Sequence, residues 1–223
     1  MAPQQSGQSG GAVVGTLLLS PLISLAINRA LDHSWHQQNG PVVPLAPGHW
    51  LFSLSNVLVA TIAAVLALWL LQRWRQPGRS ARRLLALLGA ITTMHGLLNG
   101  ALVLIAISLL NLGSVQLLLI GTGLYSVLNA IALFWYWCLD HPGFGSGREP
   151  ACARLGTIIF PEGDSGGSVL DYVYLTVLSS NTLGPPENHQ LLGAPTKLLA
   201  LLQSCVMLAL LVIVVARAIN TLG

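Results

Sequence analysis

Charge is what this sequence lacks. Only 8% of its residues are Asp, Glu, Lys or Arg, against about 25% in an ordinary soluble domain. A deficit of that size leaves too little polar surface to face water on every side, so a free-standing soluble domain is excluded. Acidic residues number seven in the whole chain, and lysine occurs once, at Lys197. The three cysteines, Cys138, Cys152 and Cys205, show neither a CxxC pair nor a metal-ligand spacing. No basic run is interleaved with aromatics for base stacking, so nucleic acid is not an expected partner. Walker loops, GxGxxG fingerprints, nucleophile elbows and internal repeats are also missing.

What the chain has instead is apolar length. Hydrophobic residues make up 53% of it, and the mean hydropathy is +0.70. A helix of roughly 20 apolar residues spans the hydrocarbon of a bilayer. Runs of that kind predict spans at 12–30, 51–72, 84–110, 115–139 and 197–220, with a short helix at 168–180. The expected fold class is an all-α integral membrane protein of about five transmembrane helices plus one short re-entrant or interfacial helix. Residues 1–11 are Gly-, Gln- and Ser-rich and uncharged, which predicts a disordered lead-in to one membrane domain over 12–223. The first run lacks the positive flank of a signal peptide and reads as a retained span, kinked at Pro21.

Orientation is written in the arginines. Arg73, Arg75, Arg79, Arg82 and Arg83, five of the ten basic residues, fall within eleven positions, which predicts a cytoplasmic loop. The stretch from Asp32 to Trp50 has no Lys or Arg and carries Trp35 and Trp50, so it reads as a loop on the opposite side. Its Asp32, His33, His36 and His49 gather metal-ligand residue types, but an interfacial polar loop is the plainer reading of them, and no metal or other cofactor is expected. The lipid bilayer is the expected surroundings, of the kind found in a bacterial inner membrane.

Polar residues inside spans are costly and therefore informative. His95 and Asn99 stand four apart on the third span, and Tyr125 and Asn129 four apart on the fourth. Each pair makes a one-faced stripe. The tight turn at 111–114 predicts that the stripes face each other. They form either a packing layer, with His95 bonded to Asn99, Asn129 or Tyr125, or part of a proton or ion path. Small residues at Gly89, Gly96, Gly100, Gly121, Ser126 and Ala130 suit close helix contact. Asp140–Gly167 reads as a Gly- and Pro-rich loop, with Asp171 capping the next helix as N-cap or first-turn acid.

The last third is the most patterned part. A semi-apolar segment, 168–180, is followed by a polar hinge, 181–190, and then by the final apolar run. Tyr172, Tyr174 and Thr176 lie in the first segment, Thr182-Leu183-Gly184 reads T-x-G, Glu187 follows, and Pro195 precedes the last helix. Over residues 172–215 this resembles the P-loop and inner helix of potassium-type pore channels. The resemblance implies a membrane pore assembled from several copies around an axis. It implies lining groups at Thr176, Ser179, Ser180, Asn181, Thr182, Leu183 and Gly184, with Glu187 at the mouth. Gln203 and Ser204 are further candidates for the lumen. Where the channels write Tyr-Gly, this chain has Pro185-Pro186, whose fixed φ excludes the carbonyl ladder of a potassium filter. With the arginines cytoplasmic, the hinge also opens to the cytoplasm, which leaves three alternatives: a loop inverted as in glutamate-receptor-type channels, a span count that differs by one, or a degenerate, non-conducting relative. The layout as a whole is similar to bacterial integral membrane proteins that carry no assigned mechanism.

Two functions follow. One is a channel-like or transport-related pore subunit; the other is a structural or accessory subunit of a larger membrane complex. A homo-oligomer suits the first and partner subunits the second. An enzyme is not expected, because His95 is the only histidine inside a long span and no acid lies in one.

Overall fold

A chain with so little charge has one economical way to satisfy its backbone away from water, the α-helix. A computed structural model of the chain describes residues 6–39, 47–75, 79–141, 157–161, 167–182 and 184–220. It has six helices: α1 (Ser6–Asn39), α2 (Pro47–Arg75), α3 (Arg79–Leu109), α4 (Ser114–Asp140), α5 (Val169–Thr182) and α6 (Ala194–Asn220). Two short strands, β1 (Ile158–Ile159) and β2 (Gln190–Leu191), pair antiparallel, Ile158 with Leu191 and Ile159 with Gln190.

Four stretches among the described residues are long and apolar enough to cross a membrane: Gly11–Gln38, Arg83–Leu109, Ser114–Asp140 and Ala194–Arg217. A shorter apolar stretch, Ser55–Leu70, lies in α2. Their apolar surface faces outward as well as inward. On α6, Leu198, Leu201, Leu211 and Val212 are all exposed.

The helices overrun the expected spans at their polar ends. The stretch Asp32–Trp50 is not one loop: α1 continues to Asn39 and α2 begins at Pro47, with 40–46 outside the described residues. Asp32 and His36 pair at 3.5 Å one turn apart, and Gln37 Nε2 lies 3.0 Å from the His33 ring, so i,i+4 contacts carry the helix past its apolar part. Pro47 sits at the first position of α2, where its missing N–H costs nothing. The arginine loop is likewise mostly helix, Arg73 and Arg75 ending α2 and Arg79, Arg82 and Arg83 opening α3; 76–78 lie outside the description. The lead-in expected to be disordered is helical from Ser6, and 1–5 lie outside the description.

Two compact units emerge, Met1–Leu18 with Leu128–Leu211, and Leu19–Val127 with Val212–Gly223. In the second unit, a Cβ on Gly123 would stand 2.9 Å from Ile27 Cδ1, and one on Gly121 3.3 Å from Val214. The close approaches are therefore on α4. Gly100, from the GxxxG of α3, has only Leu124 at 3.9 Å. At the far ends of α1 and α3, Gln38 Nε2 donates to the Asn111 carbonyl (3.0 Å), and Asn111 N donates to Gln38 Oε1 (3.1 Å). Arg217 Nη2 donates to the Leu110 carbonyl (3.2 Å). These contacts hold the C-terminal ends of α1, α3 and α6 together.

In the first unit, α5 starts with a capping box. Ser168 Oγ accepts from Asp171 N at 3.4 Å, and Asp171 Oδ2 accepts from Ser168 N at 2.6 Å. Ser168 is thus the N-cap and Asp171 the first-turn acid. Ser168→Ala is expected to cost about 0.5–2 kcal/mol, read as a lower unfolding midpoint in detergent micelles.

Candidate functional site

The apolar end of α4 finishes in Asp140, whose side chain is only 4% exposed. A carboxylate so placed requires donors, and it has two. Ile158 N donates to Oδ1 at 2.9 Å, and the Tyr172 hydroxyl donates to Oδ2. Burial first, and then the Asp140 carboxylate, push the Tyr172 phenol up from its ordinary value, so it stays protonated and keeps donating. Thr157 Oγ1 donates to the Leu139 carbonyl at 3.0 Å, satisfying one of the last carbonyls of α4. Leu192 N returns to the Thr157 carbonyl at 2.9 Å. Phe160 fills the space between, its ring 5.2 Å from Tyr172 and 5.6 Å from His189, both edge-on.

From this anchor α5 runs antiparallel to α4. Tyr172 meets Asp140, and two turns later Ser180 Oγ donates to Asn129 Oδ1 at 2.8 Å, eleven residues back along α4. Gln203 of α6 closes the layer. Its Nε2 donates to Ser180 Oγ at 2.7 Å and to the Thr176 carbonyl at 2.9 Å. Ser204 Oγ donates to the Ser179 carbonyl at 3.1 Å. Three helices, α4, α5 and α6, are thereby hydrogen-bonded through their polar stripes.

The chain then comes back. Thr182 Oγ1 lies 2.8 Å from the Leu178 carbonyl and 2.9 Å from that of Gly184. A turn at Pro186–His189, closed by His189 N to the Pro186 carbonyl at 3.1 Å, places Asn188 at φ 68°, a conformation asparagine tolerates. His189 packs against Phe160 and Tyr174, and β2 pairs with β1 beside Asp140. The segment 169–191 therefore enters and leaves at one end of α4.

The expected lining residues divide into two sets. Thr176, Ser179 and Ser180 are buried against α4 and α6 of their own chain. Asn181 and Thr182, expected in a hinge, are the last residues of α5; both are exposed, as is Glu187, and Gly184 is half-buried. Leu183 lies outside the described residues. Gln203 and Ser204 are buried too, at 7% and 5% exposure, and bond to α5.

The intramembrane cluster also divides. Asn129 belongs to the first unit and takes Ser180 as partner. His95, Asn99 and Tyr125 belong to the second. His95 Nε2 lies 3.1 Å from Ser55 Oγ, and neither Oδ1 nor Nδ2 of Asn99 has a partner. Ser55 Oγ accepts from Asn28 Nδ2 at 2.9 Å. Three helices, α1, α2 and α3, meet there through neutral polar groups. Asp140, Ser55 and Asn28 were not marked as site residues by sequence reasoning. Among the described residues no three His, Cys, Asp or Glu side chains gather as a metal site. Neither a protein-family model, nor a curated protein, nor a solved structure matches this chain.

Proposed function

We propose that this chain is a five-span integral membrane protein, in the layout of a bacterial inner-membrane protein, and acts as a transport-related, channel-like subunit. The observation that carries the reading is the course of 169–191. A helix of fourteen residues is about 21 Å long, short of the roughly 30 Å hydrocarbon, and its chain turns back to the end where it entered. Such a half-helix inside a membrane leaves backbone carbonyls and small polar side chains, here Asn181, Thr182 and Gly184, at depth, the arrangement that ion and solute paths use. The exposed apolar faces of α6 suit lipid on one side and further copies on the other.

Flux into liposomes tests this directly. Purified protein is expected to carry cations above the rate of protein-free liposomes. Glu187→Gln is expected to lower that flux roughly tenfold at low ionic strength, the lower end of electrostatic focusing. Folded protein with no flux overturns the reading.

A second reading, an accessory subunit of a membrane complex, is favoured by the burial of Thr176, Ser179 and Ser180. Ser180 Oγ donates to Asn129 of α4, and the carbonyls of Thr176 and Ser179 accept from Gln203 and Ser204 of α6, so this face of α5 packs on its own chain rather than facing a lumen. This reading expects a stoichiometric partner to remain through purification in mild detergent.

A further inference from the structure

We propose that Ser24, Asn28, Ser55, His95 and Asn99 form an internal water-binding site, with the His95 imidazole as its ionisable member. It is distinct from the 169–191 hairpin and does not rest on the pore reading. The bonded core is Asn28 Nδ2 to Ser55 Oγ at 2.9 Å, and Ser55 Oγ to His95 Nε2 at 3.1 Å. Asn99 lies one turn beyond His95 on the same face of α3, and Ser24 one turn before Asn28 on the same face of α1. The four outer residues are nearly inaccessible: Ser24 0%, Asn28 5%, His95 1% and Asn99 0% exposed.

The remaining polar atoms of this column have no protein partner. They are Ser24 Oγ, Asn28 Oδ1, His95 Nδ1, and both Oδ1 and Nδ2 of Asn99. Native interiors leave few such atoms bare, and five together would cost on the scale of a whole domain's stability. Their chemistry defines the guest. With Asn28 donating to Ser55, the Ser55 hydroxyl either donates to His95 Nε2, which leaves Nδ1–H as a donor, or accepts from Nε2–H, which leaves Nδ1 as an acceptor. Asn28 Oδ1 and Asn99 Oδ1 accept, Asn99 Nδ2 donates, and the Ser24 hydroxyl does either. No carboxylate joins the set, so a divalent cation would find no compensating charge. A small neutral molecule that both donates and accepts fits, and water needs two to four such partners. Water there gives His95 a route to exchange its proton although the protein hides it from bulk solvent.

Two measurements on the full chain in lipid test the site. Water-edited solid-state NMR with ¹⁵N-labelled histidine is expected to show magnetisation passing from water to the His95 ring, assigned by its loss in His95→Gln. A double-mutant cycle of Ser24→Ala and Asn99→Leu reads the coupling. Neither side chain has a hydrogen-bond partner in the protein, so independent effects on the unfolding constant would multiply. Through shared water they are expected to depart from the product by roughly threefold or more. A ring that receives no magnetisation from water, or two effects that simply multiply, overturns the proposal. The NMR arm needs only His95→Gln, for assignment, and stands even where Ser24→Ala or Asn99→Leu does not fold.

Discussion

Asp140→Ala is expected to unfold the end of α4 more effectively than any other single truncation of a polar side chain. The carboxylate accepts from Ile158 N and from the Tyr172 hydroxyl, and both donors are buried, Ile158 at 1% and Tyr172 at 0% exposure. Removing the acceptor strands two donors, each at about 1–3 kcal/mol, so the expected loss is roughly 2–6 kcal/mol. Tyr172→Phe removes one donor and keeps the other bond, so it is expected to cost about half as much. Asp140→Asn keeps an acceptor for one donor and turns an N–H₂ toward the other, which places it between. Unfolding in mixed micelles, followed by tryptophan fluorescence, ranks the three. An Asp140→Ala protein as stable as the parent would mean that the carboxylate does not anchor α5 and β1.

The second large effect is steric. A Cβ on Gly167 would stand 2.7 and 2.8 Å from ring atoms of Phe160 and 3.0 Å from Asp171 Cβ. The ring has nowhere to go, because Tyr172 and His189 already pack edge-on against it. The backbone at Gly167 is outside the left-handed region, so the demand is for space, not for an unusual φ. Gly167→Ala is expected to cost about 1–3 kcal/mol as overpacking, and Gly167→Val more. The check is a paired substitution. Phe160→Leu vacates the space, so Gly167→Ala added to it is expected to cost less than Gly167→Ala alone. Equal costs in both backgrounds would show that the ring is not what excludes the methyl.

The helices were legible because hydropathy marks a long apolar run regardless of its neighbours. Their ends were not. Asp32, His33, His36 and Gln37 look like loop residues by composition, but their i,i+4 contacts extend α1. The polar stripes on α3 and α4 were legible as stripes, since spacing is local. Their partners were not, since pairing is tertiary. His95 takes a serine, Ser55, that looks in an apolar run like any small residue, and Asn129 takes Ser180 from a segment fifty-one positions away. Asp140 reads in sequence as the first charge of a loop. Only the return of 157–158 beside it reveals a buried anchor. The two-residue strands β1 and β2 are too short to leave a period in the sequence at all.

The clasp between Gln38 and Asn111, with Arg217 on the Leu110 carbonyl, reaches further than local packing. It ties the ends of three helices to one face. Between residues 38 and 111 the chain must go out and return, and again between 111 and 217, while the hairpin at 169–191 turns back where it entered. Within the second unit the α3–α4 turn and the last turn of α6 therefore lie side by side, so a label at either place reads the sidedness of both.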